Sequence, residues 1–160
     1  MQLNKAVFIN LDNTLVKTKS GEEYFKNVDD WKFWGDGLLQ KLKQLVEKGY
    51  IPCIVSNQGG VGLGRVTEAD VVTRMKKIEQ ELETYLGVAV NTAYCTSYDS
   101  YYRKPFPGMA YHFALNLALS LRNSIMIGNS NNDSGFAKNA YIGTYYDIED
   151  FLKDSKIEEL

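Results

Sequence analysis

The chain alternates short, continuously apolar runs with longer segments of helical periodicity. Ala6-Val7-Phe8-Ile9 is such a run, and it stops at the polar cluster Asn10-Leu11-Asp12-Asn13-Thr14. Four apolar residues without alternation suit a strand buried on both faces of a parallel sheet. Residues 51–55, 88–94, 124–127 and 141–145 read as further strands. Leu38, Leu39, Leu42, Leu45 and Val46 share one helical face, and Gly49 stops that helix. Thr67-Glu68-Ala69-Asp70 opens a long polar helix with a capping box in which Asp replaces the usual Glu or Gln. Pro107 suits the first turn of a helix reaching about residue 121, and residues 133–140 and 147–153 predict two shorter helices. Residues 14–25 predict a flap or hairpin, and residues 58–64, with four glycines, a loop. Strands alternating with helices predict one α/β domain over residues 1–160, with a parallel sheet and right-handed crossovers. Ligands of such sheets bind at the carboxyl ends of the strands.

Composition narrows the partners. The 160 residues carry a formal net charge of −2, so there is no global basic field, and any polynucleotide contact has to be local, as at a strand end. Cys53 and Cys95 lie in apolar or β-prone runs and read as buried thiols. The first residues lack a charged head followed by an apolar stretch, and no apolar run approaches a membrane span. The expectation is a monomeric cytoplasmic protein.

Four polar clusters follow the predicted strands or precede a helix. They are Asn10-Leu11-Asp12-Asn13-Thr14, Ser56-Asn57-Gln58, Arg103-Lys104-Pro105, and Gly128-Asn129-Ser130-Asn131-Asn132-Asp133. Any one of them reads as a turn or a helix cap. Four in this order at one sheet edge point to a site.

That order resembles the four motifs of the haloacid dehalogenase superfamily of phosphatases, over nearly the whole chain. Thr18-Lys19-Ser20-Gly21, Asp30-Trp31, the Ser56-to-Gly64 loop, Tyr102-Arg103-Lys104-Pro105 and Gly108-Met109 resemble the polynucleotide 3′-phosphatase branch. The glycine loop and the Arg-Lys-Pro step also occur in histidinol- and heptose-phosphate enzymes. The heptose enzymes add a Cys/His zinc loop, which one histidine and two distant cysteines cannot supply. The resemblance implies a Rossmann-like three-layer sandwich with a flap after the first strand and no inserted cap domain. It implies a nucleophilic carboxylate at position 10 and Asp12 as general acid and base. Ser56 and Lys104 would hold phosphate oxygens, and Thr14, Lys19, Asn57, Gln58 and Arg103 would bind substrate. A magnesium ion would lie among positions 10, 12, 129 and 133. The implied substrate is a 3′-phosphorylated DNA or RNA end, or a small phosphate monoester, with a separate kinase or ligase as a possible partner.

Two of the implied acids are amides, Asn10 and Asn129. An amide oxygen is a poor nucleophile toward phosphorus and brings no charge to a hard cation, so magnesium should bind weakly or not at all and turnover should be lost. Three readings stand at this stage: acids replaced to trap a substrate or metal-free state, a natural pseudophosphatase that binds phosphorylated ends, or displaced chemistry with Asp12 as nucleophile. Elsewhere, His112 reads as packing or capping, and Trp31, Phe33 and Trp34 as residues closing the flap over the core rather than stacking on a base.

Overall fold

The structure is a computed structural model, and it describes residues 2–154. The ends of the predicted domain, residue 1 and residues 155–160, lie outside the described residues. Seven strands and six helices follow in the order β1 (Lys5–Ile9), β2 (Val16–Lys17), β3 (Lys32–Phe33), α1 (Leu38–Glu47), β4 (Tyr50–Asn57), α2 (Gly59–Gly62), α3 (Glu68–Leu86), β5 (Asn91–Cys95), α4 (Gly108–Leu117), β6 (Ile125–Gly128), α5 (Asn131–Asn139), β7 (Thr144–Asp147) and α6 (Ile148–Lys153) among the described residues. The main sheet is parallel with order β5-β4-β1-β6-β7.

The sheet is covered on both faces, as the unbroken apolar runs require. Val7 and Ile9 join a core with Leu38, Leu42, Leu45, Met75, Ile78, Leu82 and Phe151, which α1, α3 and α6 supply. Ala6 and Phe8 point the other way, into Met109, Phe113, Phe136 and Ala137 of α4 and α5. This is the three-layer α/β architecture with a flap and no inserted cap domain. Thr67 caps α3 as its sequence predicts, its side chain accepting from the Asp70 N–H at 3.1 Å. Gly49 closes the turn after α1 with φ 97°.

Several boundaries differ from the sequence pattern for local reasons. β5 starts at Asn91 rather than Val88, because its pairing begins opposite Cys53 of β4. β7 runs 144–147 rather than 141–145, because Tyr141 adopts φ 58° and is exposed. α4 stops at Leu117, since Ala118 turns left-handed at φ 53° and the chain then bridges back to Asn4. The loop predicted over residues 58–64 contains the short helix α2. The flap is a two-stranded ribbon, with Val16 opposite Phe33, so its partner strand lies beyond the predicted residues 14–25.

The flap is fixed at its base by Asp30. One carboxylate oxygen accepts from the Ser20 N–H at 2.9 Å; the other accepts from the Ser20 hydroxyl at 2.7 Å and the Lys26 N–H at 2.9 Å. Burial alone would raise the Asp30 pKa, but these donors outweigh it and bring the group down from 3.8 to about 2. A carboxylate depressed on folding adds stability above its ordinary range, and that stability fades as pH falls through the folded value. Asp30→Asn is therefore expected to lower the urea midpoint at neutral pH, with the gap to the parent chain closing between pH 3.8 and about 2. A gap that stays constant through that window would contradict the anchoring role.

Candidate functional site

β1 and β6 are neighbours, and the chain runs from β1 to β4 on one side and from β6 to β7 on the other, which makes a switch point of the sheet. This geometry gathers Asn10, Ser56-Asn57-Gln58 and Gly128-Asn129 at one carboxyl edge. The Asn10 N–H donates to the Ile127 carbonyl at 3.0 Å. Asn13, at φ 62°, turns the chain back, its N–H donating to the Val16 carbonyl at 2.7 Å. Asparagine tolerates that left-handed conformation better than most residues. Gly128 is needed for close approach, since a Cβ there would run into the Asp133 side chain.

Lys104 organises the centre. Its ammonium, 2% exposed, donates to Asp133 Oδ1 at 2.6 Å and to Asn10 Oδ1 at 2.8 Å. Burial pushes the Lys104 pKa below the ordinary lysine range, while the Asp133 charge and hydrogen bond work against that shift. Asp133 is equally buried, and its Oδ2 accepts from the Asn129 N–H at 3.0 Å. Asn57 locks Lys104 in place through its backbone: Asn57 Nδ2 donates to the Lys104 carbonyl and the Lys104 N–H donates to Asn57 Oδ1, both at 2.9 Å.

An ammonium only donates, so the side-chain oxygen of Asn10 must face Lys104 and its NH₂ must face the other way. That NH₂ meets the Asp12 carbonyl at 2.8 Å, Asn129 Oδ1 at 3.0 Å and Thr14 Oγ1 at 3.2 Å. The Thr14 hydroxyl donates to Asn129 Oδ1 at 3.1 Å. Thr14 is fully buried, so it orients the two amides rather than reaching solvent.

Asp12 is held by two donors. Gln58 Nε2 reaches Asp12 Oδ2 at 3.0 Å and Ser56 Oγ at 2.8 Å. Arg74 Nη1 reaches Asp12 Oδ1 at 2.9 Å. Arg74 is 1% exposed, donates more weakly to the Asp30 carbonyl at 3.4 Å and stacks on the Phe25 ring at 4.8 Å. Sequence reasoning missed it. The signal was an arginine inside the buried stripe Val71, Met75, Ile78, Leu82 of α3.

Beside Asp12 lies a cavity of about 270 Å³, bounded by Tyr24, Phe25, Asn57, Gln58, Tyr98 and Arg103. The Arg103 guanidinium lies 4.0 Å over the Tyr98 ring, and its Nη1 is buried without a hydrogen-bond partner. Gly59 allows this closure, because a Cβ there would strike the Tyr98 hydroxyl. A larger hollow, about 760 Å³ between Trp31, Phe33 and Tyr85, holds the Asp29–Lys77 ion pair and is lined by none of the predicted site residues.

Of the predicted site residues, Asn10, Asp12, Thr14, Ser56, Asn57, Gln58, Lys104, Asn129 and Asp133 form one hydrogen-bonded cluster, and Arg103 lines the adjoining cavity. Lys19 stands apart, exposed on the flap and outside the cavity lining. Trp31 is in the core, with Phe33 edge-on at 5.3 Å. His112 is exposed and packs edge-on against Phe113 at 5.3 Å.

The residues present do not fit magnesium. A hard cation takes oxygen ligands, and charged ones favour it most. Among the described residues no group of three or more His, Cys, Asp or Glu is placed to hold a metal ion. The Asp12 oxygens face Arg74 and Gln58, and the Asp133 oxygens face Lys104 and the Asn129 N–H. Where the Asp12 carbonyl and Asn129 Oδ1 converge, the Asn10 NH₂ already lies. A cation there would meet the positive end of an amide dipole.

Known proteins resemble this chain in sequence and in fold. The bifunctional polynucleotide phosphatase/kinase of Schizosaccharomyces pombe is 29% identical over 109 residues, covering 66% of this chain, which spans only 24% of that protein's length. The D-glycero-beta-D-manno-heptose-1,7-bisphosphate 7-phosphatase of Rhodopseudomonas palustris is 31% identical over 78% of this chain and 77% of its own. The D,D-heptose 1,7-bisphosphate phosphatase of B. bronchiseptica, solved with magnesium and phosphate, superposes with TM-score 0.75 at 20% identity, over 94% of this chain and 87% of its own. The family model for polynucleotide kinase 3 phosphatase matches residues 5–151. The chain therefore belongs to the polynucleotide kinase 3 phosphatase family, on a haloacid dehalogenase-type phosphatase fold.

Proposed function

We propose that this protein recognises the terminal phosphate of a 3′-phosphorylated DNA or RNA end and, with amides at positions 10 and 129, holds it without hydrolysing it. The observation that supports this reading is the cavity beside Asp12. It is uncapped, and it presents an unpartnered donor, Arg103 Nη1, next to the Tyr24, Phe25 and Tyr98 rings. A guanidinium suits phosphate, and an exposed ring such as Tyr98 accepts a base of any sequence. The net charge of −2 suits contact with an end rather than with a long duplex. Two buried free thiols, Cys53 and Cys95, suit a reducing cytoplasmic setting, and a separate kinase or ligase acting on the same ends would be its partner.

A 3′-phosphorylated oligonucleotide is expected to bind at least about tenfold more tightly than its 3′-hydroxyl twin, the difference a charge-assisted phosphate contact supplies. Equal affinity would sink the reading. A small-metabolite phosphatase is the second reading, favoured by the heptose relative that matches over three quarters of both chains. A sugar phosphate that competes out the oligonucleotide would support it.

A further inference from the structure

We infer that the side-chain amide of Asn10 replaces the divalent cation of this fold, so that the pocket binds a phosphate group without metal. The inference rests on the proposed phosphate recognition and deepens it. Its basis is the direction of the amide. Lys104 fixes the oxygen of Asn10 at 2.8 Å, which leaves the NH₂ toward the Asp12 carbonyl and Asn129 Oδ1. These two oxygens are what a cation at this edge would use, and both accept from the amide instead. The amide has two protons, and these two nearest acceptors take them, while the Thr14 hydroxyl donates to Asn129 Oδ1 at 3.1 Å. A cation would have to displace the amide to reach either oxygen.

The electrostatics point the same way. A cation in such a pocket offsets repulsion between a phosphate dianion and a carboxylate at position 10. Neutral amides at positions 10 and 129 remove that repulsion at its source. The remaining acids are paired, Asp12 with Arg74 and Asp133 with Lys104, at 2.9 and 2.6 Å. Glu23 is exposed at the cavity rim. In the adjoining cavity an incoming phosphate meets Arg103, whose Nη1 has no hydrogen-bond partner.

The test follows the Asn10 side-chain amide by nitrogen NMR during two titrations of the full chain, one with magnesium chloride and one with inorganic phosphate in EDTA. Phosphate should shift the Asn10 NH₂ signal in EDTA, and magnesium alone should leave it unmoved. Phosphate affinity should then be the same with and without magnesium. In Asn10→Asp, phosphate binding in EDTA should fall by about tenfold or more and should recover with magnesium, the coupling expected when an ion bridges ligand and protein. An unchanged thermal midpoint shows that this variant folds. If magnesium tightens phosphate binding to the parent chain about tenfold, the inference fails. If the oligonucleotide pair is distinguished only with magnesium, the inference falls while recognition of ends stands. If phosphate never binds, both fall.

Discussion

Lys104→Met is expected to cost about 3–5 kcal/mol of stability and to abolish binding of a 3′-phosphorylated oligonucleotide. The reason lies in what remains. Asp133 is 1% exposed, and its Oδ1 has the Lys104 ammonium as partner at 2.6 Å. Methionine fills the volume of the stem and supplies no donor. A carboxylate left buried and unpaired has to take up a proton or pull water inward, and either costs several kcal/mol. The Asn10 oxygen loses its donor in the same step, which frees the amide to turn. Adding Asp133→Leu to Lys104→Met should recover most of the stability and none of the phosphate binding, because replacing both ions of a buried pair is far milder than removing one. Urea unfolding of the two variants and their combination measures the coupling. A single variant that loses less than about 1 kcal/mol would mean that the pair is solvated in solution.

The second large effect concerns the amides. Asn10→Asp combined with Asn129→Asp is expected to turn the chain into a phosphatase when magnesium is supplied. Its rate should exceed that of the parent by about a thousandfold or more, given that removing a nucleophile typically costs about 10⁶. Asp at 10 alone should give weak turnover that needs high magnesium. Asp at 129 alone should give essentially none, because an amide at 10 cannot accept the phosphoryl group. The two substitutions share one network through the Asn10–Asn129 contact at 3.0 Å, so their effects should not add. Release of inorganic phosphate from oligonucleotide and sugar-phosphate panels is the measurement. A double variant inert on both panels would show that the scaffold lost more than two carboxylates. Efficient turnover with Asp at 129 alone would move the nucleophile to Asp12.

How much of this was legible in the sequence follows from which interactions leave a local mark. β1, β4 and β6 are buried on both faces and read as unbroken apolar runs. Thr67 and Gly49 announce the ends of their helices because capping and left-handed turns select particular residues. Most site residues were legible because they lie at a strand's carboxyl end, where a parallel sheet collects its ligands, whereas Arg103 and Lys104 lie before α4 and were legible through the family resemblance. What stayed hidden depends on partners far along the chain. The start of β5 is set by β4, and the end of α4 by the bridge between Asn4 and Leu119. Arg74 lies 62 positions from Asp12; its place in the apolar stripe of α3 marks it as buried, but not which carboxylate it meets. The direction of the Asn10 amide was equally out of reach, because it follows from Lys104, 94 positions away.

Arg74 also joins two parts of the molecule that would otherwise behave separately. One guanidinium touches the Asp12 carboxylate, the Asp30 carbonyl at the root of the flap and the Phe25 ring within it. The same cation therefore ties the edge of the pocket to the segment between the two flap strands, so a substitution at Arg74 would disturb both at once.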